Sequence, residues 1–171
     1  MKSHMRKVSI KEAFGKFKPE SCVFVLSVDK NGKANGMIAG WQMKCSISPP
    51  LFAVALSKKG NTHKLIRESK EFVIAVPNKE LLSEVEFFGT NHGNHMDKFK
   101  ESNIEIEKSR FIKTPIIKKA TINFECKLLR EIDSGDHIIF IGKILASYLD
   151  KNKKILFNMR RIQDKRVFLE F

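Results

Sequence analysis

Few side chains in this sequence have both the type and the spacing to do chemistry. His92 and His95 lie three positions apart, and His63 is a possible third metal ligand. A zinc site needs a third and fourth ligand in register, and nothing in the sequence supplies them, so these read as polar loop histidines. Cys45 stands between Lys44 and Ser46, where a nearby cation favours the thiolate; the alternative is a cysteine packed ahead of a core strand. No Gly-x-Ser-x-Gly, His-Glu-x-x-His or phosphate-loop pattern occurs, which leaves serine hydrolase, zinc peptidase and phosphate-loop NTPase chemistry without support.

Two stretches carry more. Ser57-Lys58-Lys59-Gly60-Asn61-Thr62 brings hydroxyls, an amide and two lysines to a point where a strand is expected to hand over to a helix. A helix N-terminus presents free N–H groups and a partial positive charge, so this corner suits a phosphate; a plain capped helix with solvated lysines is the alternative. The stretch from Asn35 to Pro50 holds Gly36, Met37, Ile38, Ala39, Gly40, Trp41, Lys44, Cys45, Ser46 and Ser48. Small residues let a flat ligand approach the backbone, and Trp41, the sole tryptophan, offers a broad apolar face. Pro49-Pro50 should close the stretch in an extended exit.

The elements that must position these residues are mostly strands. Residues 22–29 alternate toward a strand, and Asn31-Gly32 supplies the positive φ of a hairpin turn. Residues 51–57 form a continuous apolar run, expected to be buried on both faces. Residues 61–68 read as a short helix with Asn61 or Thr62 near its cap, and residues 71–76 as a strand. Residues 80–88 place Leu81, Leu82, Val85 and Phe88 on one helical face. A polar loop, residues 89–95, follows, and residues 96–101 resume a helical turn. Residues 119–128 alternate strictly, which predicts a half-buried strand with a polar outer face. Residues 138–149 form another long strand, and shorter ones are expected at 155–158 and 166–171. Short strands with few helices between them predict a mainly β fold, a closed antiparallel barrel with helical insertions, in one domain covering residues 1–171.

Composition sets further bounds. A 42% hydrophobic content across 171 residues suits a folded domain, and the apolar runs are too short to span a bilayer. The basic first residues lack the apolar block of a signal peptide, and three cysteines without Cys-x-x-Cys spacing point to reduced thiols. These features predict a cytoplasmic protein with no membrane association. The net charge of +13 favours anionic ligands, but the lysines are dispersed, with one Tyr and one Trp, which argues against a nucleic-acid partner. A basic nucleic-acid-binding barrel is the alternative in another class.

The order of segments resembles the flavin reductase-like, flavoredoxin-type family of FMN-binding split barrels. The resemblance covers about residues 18–158 and rests on Asn35 to Trp41, Ser46 to Pro50, the Ser57–Thr62 corner, Gly89-Thr90 with Asp97-Lys98-Phe99, and Gly135-Asp136-His137 ahead of Phe140-Ile141-Gly142-Lys143. Relatives of this type usually carry Ser-Gly-Arg before Asp-Lys-Phe; here the positions read His92-Gly93-Asn94, so the arginine is missing. The resemblance implies an antiparallel split β-barrel and a homodimer holding FMN near the subunit interface. The flavin would lie against Met37, Ile38, Ala39, Gly40 and Trp41 and against Lys44, Cys45, Ser46 and Ser48, with Asn35 nearby. Ser57, Asn61 and Thr62 would hold the phosphate, Lys58 would add charge, and Lys98 would meet the phosphate or the flavin rim. His137 would stand by the open face, where the nicotinamide of NAD(P)H could stack. The implied activity is that of an FMN-dependent oxidoreductase, either an NAD(P)H-dependent flavin reductase or a flavoredoxin-like electron carrier fed by a protein redox partner. A non-catalytic flavin-binding protein is the further alternative.

Overall fold

The computed structural model describes residues 5–91, 96–163 and 165–171. The chain opens with α1 (Ile10–Lys16), whose N-cap Ser9 accepts a hydrogen bond from the Glu12 amide. A short strand β1 (Glu20–Ser21) leads to β2 (Val23–Val28), in which every residue is buried. Gly32, at φ +79°, turns the chain back into β3 (Ala34–Ala39). Then come β4 (Gln42–Ser46), β5 (Leu51–Ser57), α2 (Thr62–Ser69) and β6 (Glu71–Val76). A 3-10 turn at Lys79–Leu81 enters α3 (Leu82–Thr90), and α4 (Lys98–Glu101) follows. The remainder is β7 (Ile106–Glu107), β8 (Ile116–Ile117), the long strands β9 (Ile122–Ser134) and β10 (His137–Leu149), then β11 (Leu156–Ile162) and β12 (Lys165–Glu170).

Seven strands form one antiparallel sheet in the order β3-β2-β6-β9-β10-β5-β4. The barrel is not closed, contrary to the reading from strand count alone. β3 and β4 stand at the two ends of the sheet, and between them the chain passes through Gly40 and Trp41, whose carbonyl accepts from the Ala55 amide at 2.9 Å. The result is a split antiparallel barrel. β1, β11 and β12 make a separate three-stranded sheet.

Alternation along β2 explains its continuous apolar run. Val23 and Val25 join one core cluster with Phe52, Leu56, Phe72 and Phe140. Phe24 and Leu26 join a second cluster, with Val85 and Phe88 of α3 packed over it. Successive side chains of a strand point to opposite faces, so a sheet covered on both sides needs apolar residues at every position. β9 departs from its expected pattern for the same reason. Asn123 and Glu125 fall on the face expected to be polar and solvated, yet they are 4% and 0% exposed. Asn123 bonds both backbone groups of Ile117 at 3.0 Å, and Glu125 accepts from the amides of Arg110 and Phe111. The connection preceding β9 lies over that face and uses its polar groups as anchors. The expected extended exit after β4 is instead a turn at residues 47–50 containing a cis Ser48–Pro49 bond. Among the described residues, no helix is long and apolar enough to cross a membrane.

Candidate functional site

The end of β5 is the starting point of the site. There the backbone makes a tight turn, with the Gly60 amide donating to the Ser57 carbonyl at 3.2 Å and the Lys59 amide to the Ser57 hydroxyl at 3.3 Å. The turn delivers the chain to α2 with Asn61 at the N-cap position. Asn61 is itself in the helical region, at φ −95° and ψ −30°, and its side chain makes no capping bond. The first N–H groups of a helix have no intrahelical acceptor, so an uncapped start leaves donors for something else. Thr62 is 3% exposed, and its hydroxyl makes no hydrogen bond among the described residues.

This helix start faces β3 across a cleft of about 240 Å³, whose walls include Asn35, Met37 and Ile38 on one side and Ser57, Asn61 and Thr62 on the other. Lys98 closes its far end. The lysine is 3% exposed, and its ammonium donates to the carbonyls of Gly36 at 3.1 Å and Phe88 at 3.2 Å. It also lies 5.3 Å from the centre of the Phe88 ring. An ammonium has three donors, so one remains after these two bonds. Among the described residues it forms no ion pair, and burial pushes its pKa down to about 8. Gly36 permits this approach: a Cβ there would lie 2.5 Å from Leu26 Cδ2 and 3.0 Å from the Val25 carbonyl.

The structure therefore brings together Asn35, Met37, Ile38, Ser57, Asn61, Thr62 and Lys98. Other residues named from the sequence lie elsewhere. Lys58 is outside the cleft: its ammonium bonds the Asp133 carboxylate at 2.7 and 2.9 Å, and Lys59 lines the wall in its place. Ala39 is buried in the core. Gly40 and Trp41 border a neighbouring, larger hollow with Phe14 and Phe17. Lys44, Cys45, Ser46 and Ser48 run along β4 and the turn after it, away from the cleft lining. Cys45 is exposed, so the packed alternative for it fails, while Cys22 and Cys126 are buried with pKa values raised to about 12 by desolvation. His137 begins β10 opposite Ser57, but its ring packs on Trp41 and bonds Asp136 at 2.6 Å. His92, Gly93, Asn94 and His95 lie outside the described residues.

Sequence reasoning missed Phe88 and Asn91 as cleft residues. Phe88 was legible only as a core position of an amphipathic helix, and only the packed structure shows its carbonyl meeting Lys98. α1 was also missed, although Ser9 followed by Glu12 is a capping-box spacing.

The split antiparallel barrel thus brings an uncapped helix start and a buried lysine to one cleft beside its end strand β3. Residues 19–165 match the family of the flavin reductase like domain, and the chain belongs to that family. It is 41% identical over 113 residues to an uncharacterised protein of Archaeoglobus fulgidus, a match covering 66% of this chain and 64% of that protein. A ferric-chelate reductase (NAD(P)H) of the same organism is 27% identical over 148 residues, covering 85% of this chain and 84% of the reductase. In fold, the chain is similar to the flavoredoxin from Methanosarcina acetivorans, with a TM-score of 0.85 at 22% identity, covering 99% of this chain and 92% of that one. The chain thus spans less than two thirds of the first of these relatives.

Proposed function

We propose that the cleft between β3 and α2 holds the phosphate of FMN and that the chain works as an FMN-dependent oxidoreductase. The observation that carries this reading is the set of unsatisfied donors at one point. The uncapped N-terminus of α2, the Thr62 hydroxyl, which makes no hydrogen bond among the described residues, and the Lys98 ammonium with its third donor unused there all line one cleft. A phosphate ester satisfies such groups together, because charge-assisted hydrogen bonds from N–H and O–H donors strengthen with the charge of the acceptor. At about 240 Å³ the cleft is smaller than sites for whole cofactors, which run to roughly 300–1,000 Å³. A whole cofactor would therefore need space beyond this cleft, for which Gly40 and Trp41 past the end of β3 are the candidates.

Bound FMN would supply the acceptance and onward transfer of reducing equivalents. The protein's tasks are then to anchor the phosphate through Ser57, Asn61 and Thr62, to balance its charge with Lys98 and Lys59, and to leave one face of the ring accessible. The family membership and the likeness to a ferric-chelate reductase (NAD(P)H) support a nicotinamide-fed reductase. The flavoredoxin likeness in fold is equally compatible with an electron carrier. A homodimer belongs to the same reading, and the exposed Leu129, Ile132, Leu145 and Leu149 of the β9–β10 hairpin are the apolar surface that supports it.

The test is titration of FMN into apo-protein, followed by anaerobic addition of NADH or NADPH. One saturable site per chain is expected, and bleaching by either nicotinamide marks the reductase. Saturable binding without bleaching assigns the carrier role, and absence of saturable binding overturns the reading.

A further inference from the structure

Past the end that Lys98 closes, a second hollow of about 180 Å³ adjoins the cleft, and the two share Asn35, Asn61 and Lys98 as a common wall. Its further lining includes Asp29, Lys33 and Asp97. Asp29 and Lys33 precede Asn35 along the chain, whereas Gly40 and Trp41 follow Ile38. A phosphate held by Asn61, Thr62 and Lys98 would thus have the space open to a ring on one side and this hollow on the other.

Two carboxylates are fixed against the hollow. Asp29 closes the turn between β2 and β3, with one oxygen accepting from the amides of Asn31 and Lys33 at 2.8 Å each. Asp97 starts α4: its Oδ1 accepts from the Lys100 amide at 3.3 Å, and its Oδ2 pairs with the Lys33 ammonium at 3.1 Å. The pair joins the turn to α4 at the border of the hollow. The Asp97 side chain is 17% exposed and that of Lys33 60%, so the lysine reaches in from solvent to a more enclosed carboxylate. The charged lining residues are therefore two carboxylates and two ammoniums. Lys33 is committed to Asp97, and Lys98 is the group that a first phosphate would take up. No lining cation is then left for a second phosphate.

We propose that this hollow sets the length of flavin that the site accepts, admitting one that ends in a single phosphate and rejecting one extended by a second phosphate and a nucleoside. Asp29 and Asp97 are the residues that discriminate. The second phosphate of FAD would come against their carboxylates, and like charges brought together in a partly enclosed site cost affinity. A site selects as much by what repels the wrong ligand as by what attracts the right one. Lys33 could receive that phosphate only by giving up Asp97. At about 180 Å³ the hollow is also smaller than sites for whole small molecules, roughly 300–1,000 Å³, so the added nucleoside has little room. The inference rests on the FMN reading above, because it needs the first phosphate at the Asn61–Thr62 corner.

The test is titration of FMN and of FAD into the full chain and into the double variant Asp29→Asn with Asp97→Asn. Asparagine keeps an accepting oxygen for the turn at 29 and for the helix start at 97, so both substitutions suit the fold. Each single variant gives a smaller shift in the same direction should the double variant fail to fold. Glu107→Gln, at an exposed position of β7, controls for net charge alone. The parent protein is expected to bind FMN about tenfold or more tighter than FAD. The double variant should bring the two within about threefold by tightening FAD, with FMN held within about twofold, and Glu107→Gln should leave the ratio unchanged. A parent that binds FAD as tightly as FMN overturns the proposal. So does a double variant that keeps the parental ratio, or one that tightens both flavins alike. In those cases, loss of FMN affinity in Thr62→Ala with Asn61→Ala leaves the phosphate reading standing. Absence of saturable FMN binding to the parent overturns both readings together.

Discussion

The indole of Trp41 and the imidazole of His137 pack with ring centroids 4.7 Å apart and planes inclined by 33°. One ring leaves the end of β3 and the other opens β10, so the contact ties the split of the barrel to the strand beside the Ser57 corner. Phe14 of α1 meets the same indole edge-on at 5.9 Å. The family resemblance implied a His137 near the open face of a flavin. In the structure its ring is engaged on one side by Trp41 and at Nδ1 by Asp136.

His137→Ala is therefore expected to act on Trp41 first. Trp41 is the sole tryptophan, so its emission reports on this contact without interference. A shift of emission with FMN affinity retained within about twofold is expected, together with slower flavin reduction by NADH or NADPH in anaerobic stopped flow. Loss of FMN affinity with an unchanged reduction rate per bound flavin would place His137 in the scaffold instead.

Phosphate recognition should decide flavin choice. A hydrogen bond to a charged group contributes about 1.5–3 kcal/mol, or roughly tenfold or more in affinity. Thr62→Ala combined with Asn61→Ala should weaken FMN by at least that factor while leaving riboflavin nearly unchanged. Fluorescence titrations of both flavins check this. A double variant that keeps the parental preference for FMN puts the phosphate elsewhere.

If the cleft holds the phosphate of FMN, Lys98 should make that binding depend on pH. Burial lowers its pKa in the free protein to about 8, and a bound phosphate beside the ammonium would raise it again. Above about pH 8, binding then requires uptake of a proton, so affinity falls as pH rises, by up to about tenfold per unit. Lys98→Met should bind weakly at pH 7 and show little further loss between pH 8 and 10. The sign for stability is opposite. The folded pKa lies below the unfolded one, so the unfolded chain holds more protons between about 8 and 10.5, and this lysine's contribution to apo-protein stability rises across that window.

Glu125 should be costly to replace although it is remote from the cleft. It is fully buried, and its carboxylate accepts from the amides of Arg110 and Phe111 at 2.8 Å each and from the Tyr148 hydroxyl at 2.6 Å. Glu125→Gln points an NH₂ group at donors and should destabilise the fold by about 3 kcal/mol, with Tyr148→Phe costing about 1 kcal/mol. Urea denaturation with unchanged slope would show these as losses of stability. Effects below about 0.5 kcal/mol would contradict the anchoring role.

Much of the β architecture was legible because its signals are local. The Asn31-Gly32 turn, the continuous apolar runs of β2 and β5 and the helical face of Val85 and Phe88 each declare themselves within a few residues. The Ser57–Thr62 corner was legible for the same reason. What was not legible depends on contacts distant in sequence. Nothing adjacent to Lys58 says that it will pair with Asp133, leaving Lys59 to line the cleft. Glu125 looked like an outward-facing charge because alternation assigns a face, while the chain that covers that face comes from residues 109–114. Closure was misjudged because strand count cannot say whether the first and last strands of a sheet meet.

β3 ends its sheet, and an end strand offers unpaired backbone groups to any other chain that arrives. Lys98 already occupies the Gly36 carbonyl on that strand, and the cleft that would seat a ligand runs beside the same residues. Anchoring a ligand there also shields an adhesive border. Ligand-free protein carrying Lys98→Met would expose that border most fully and should be the form most prone to self-association on concentration.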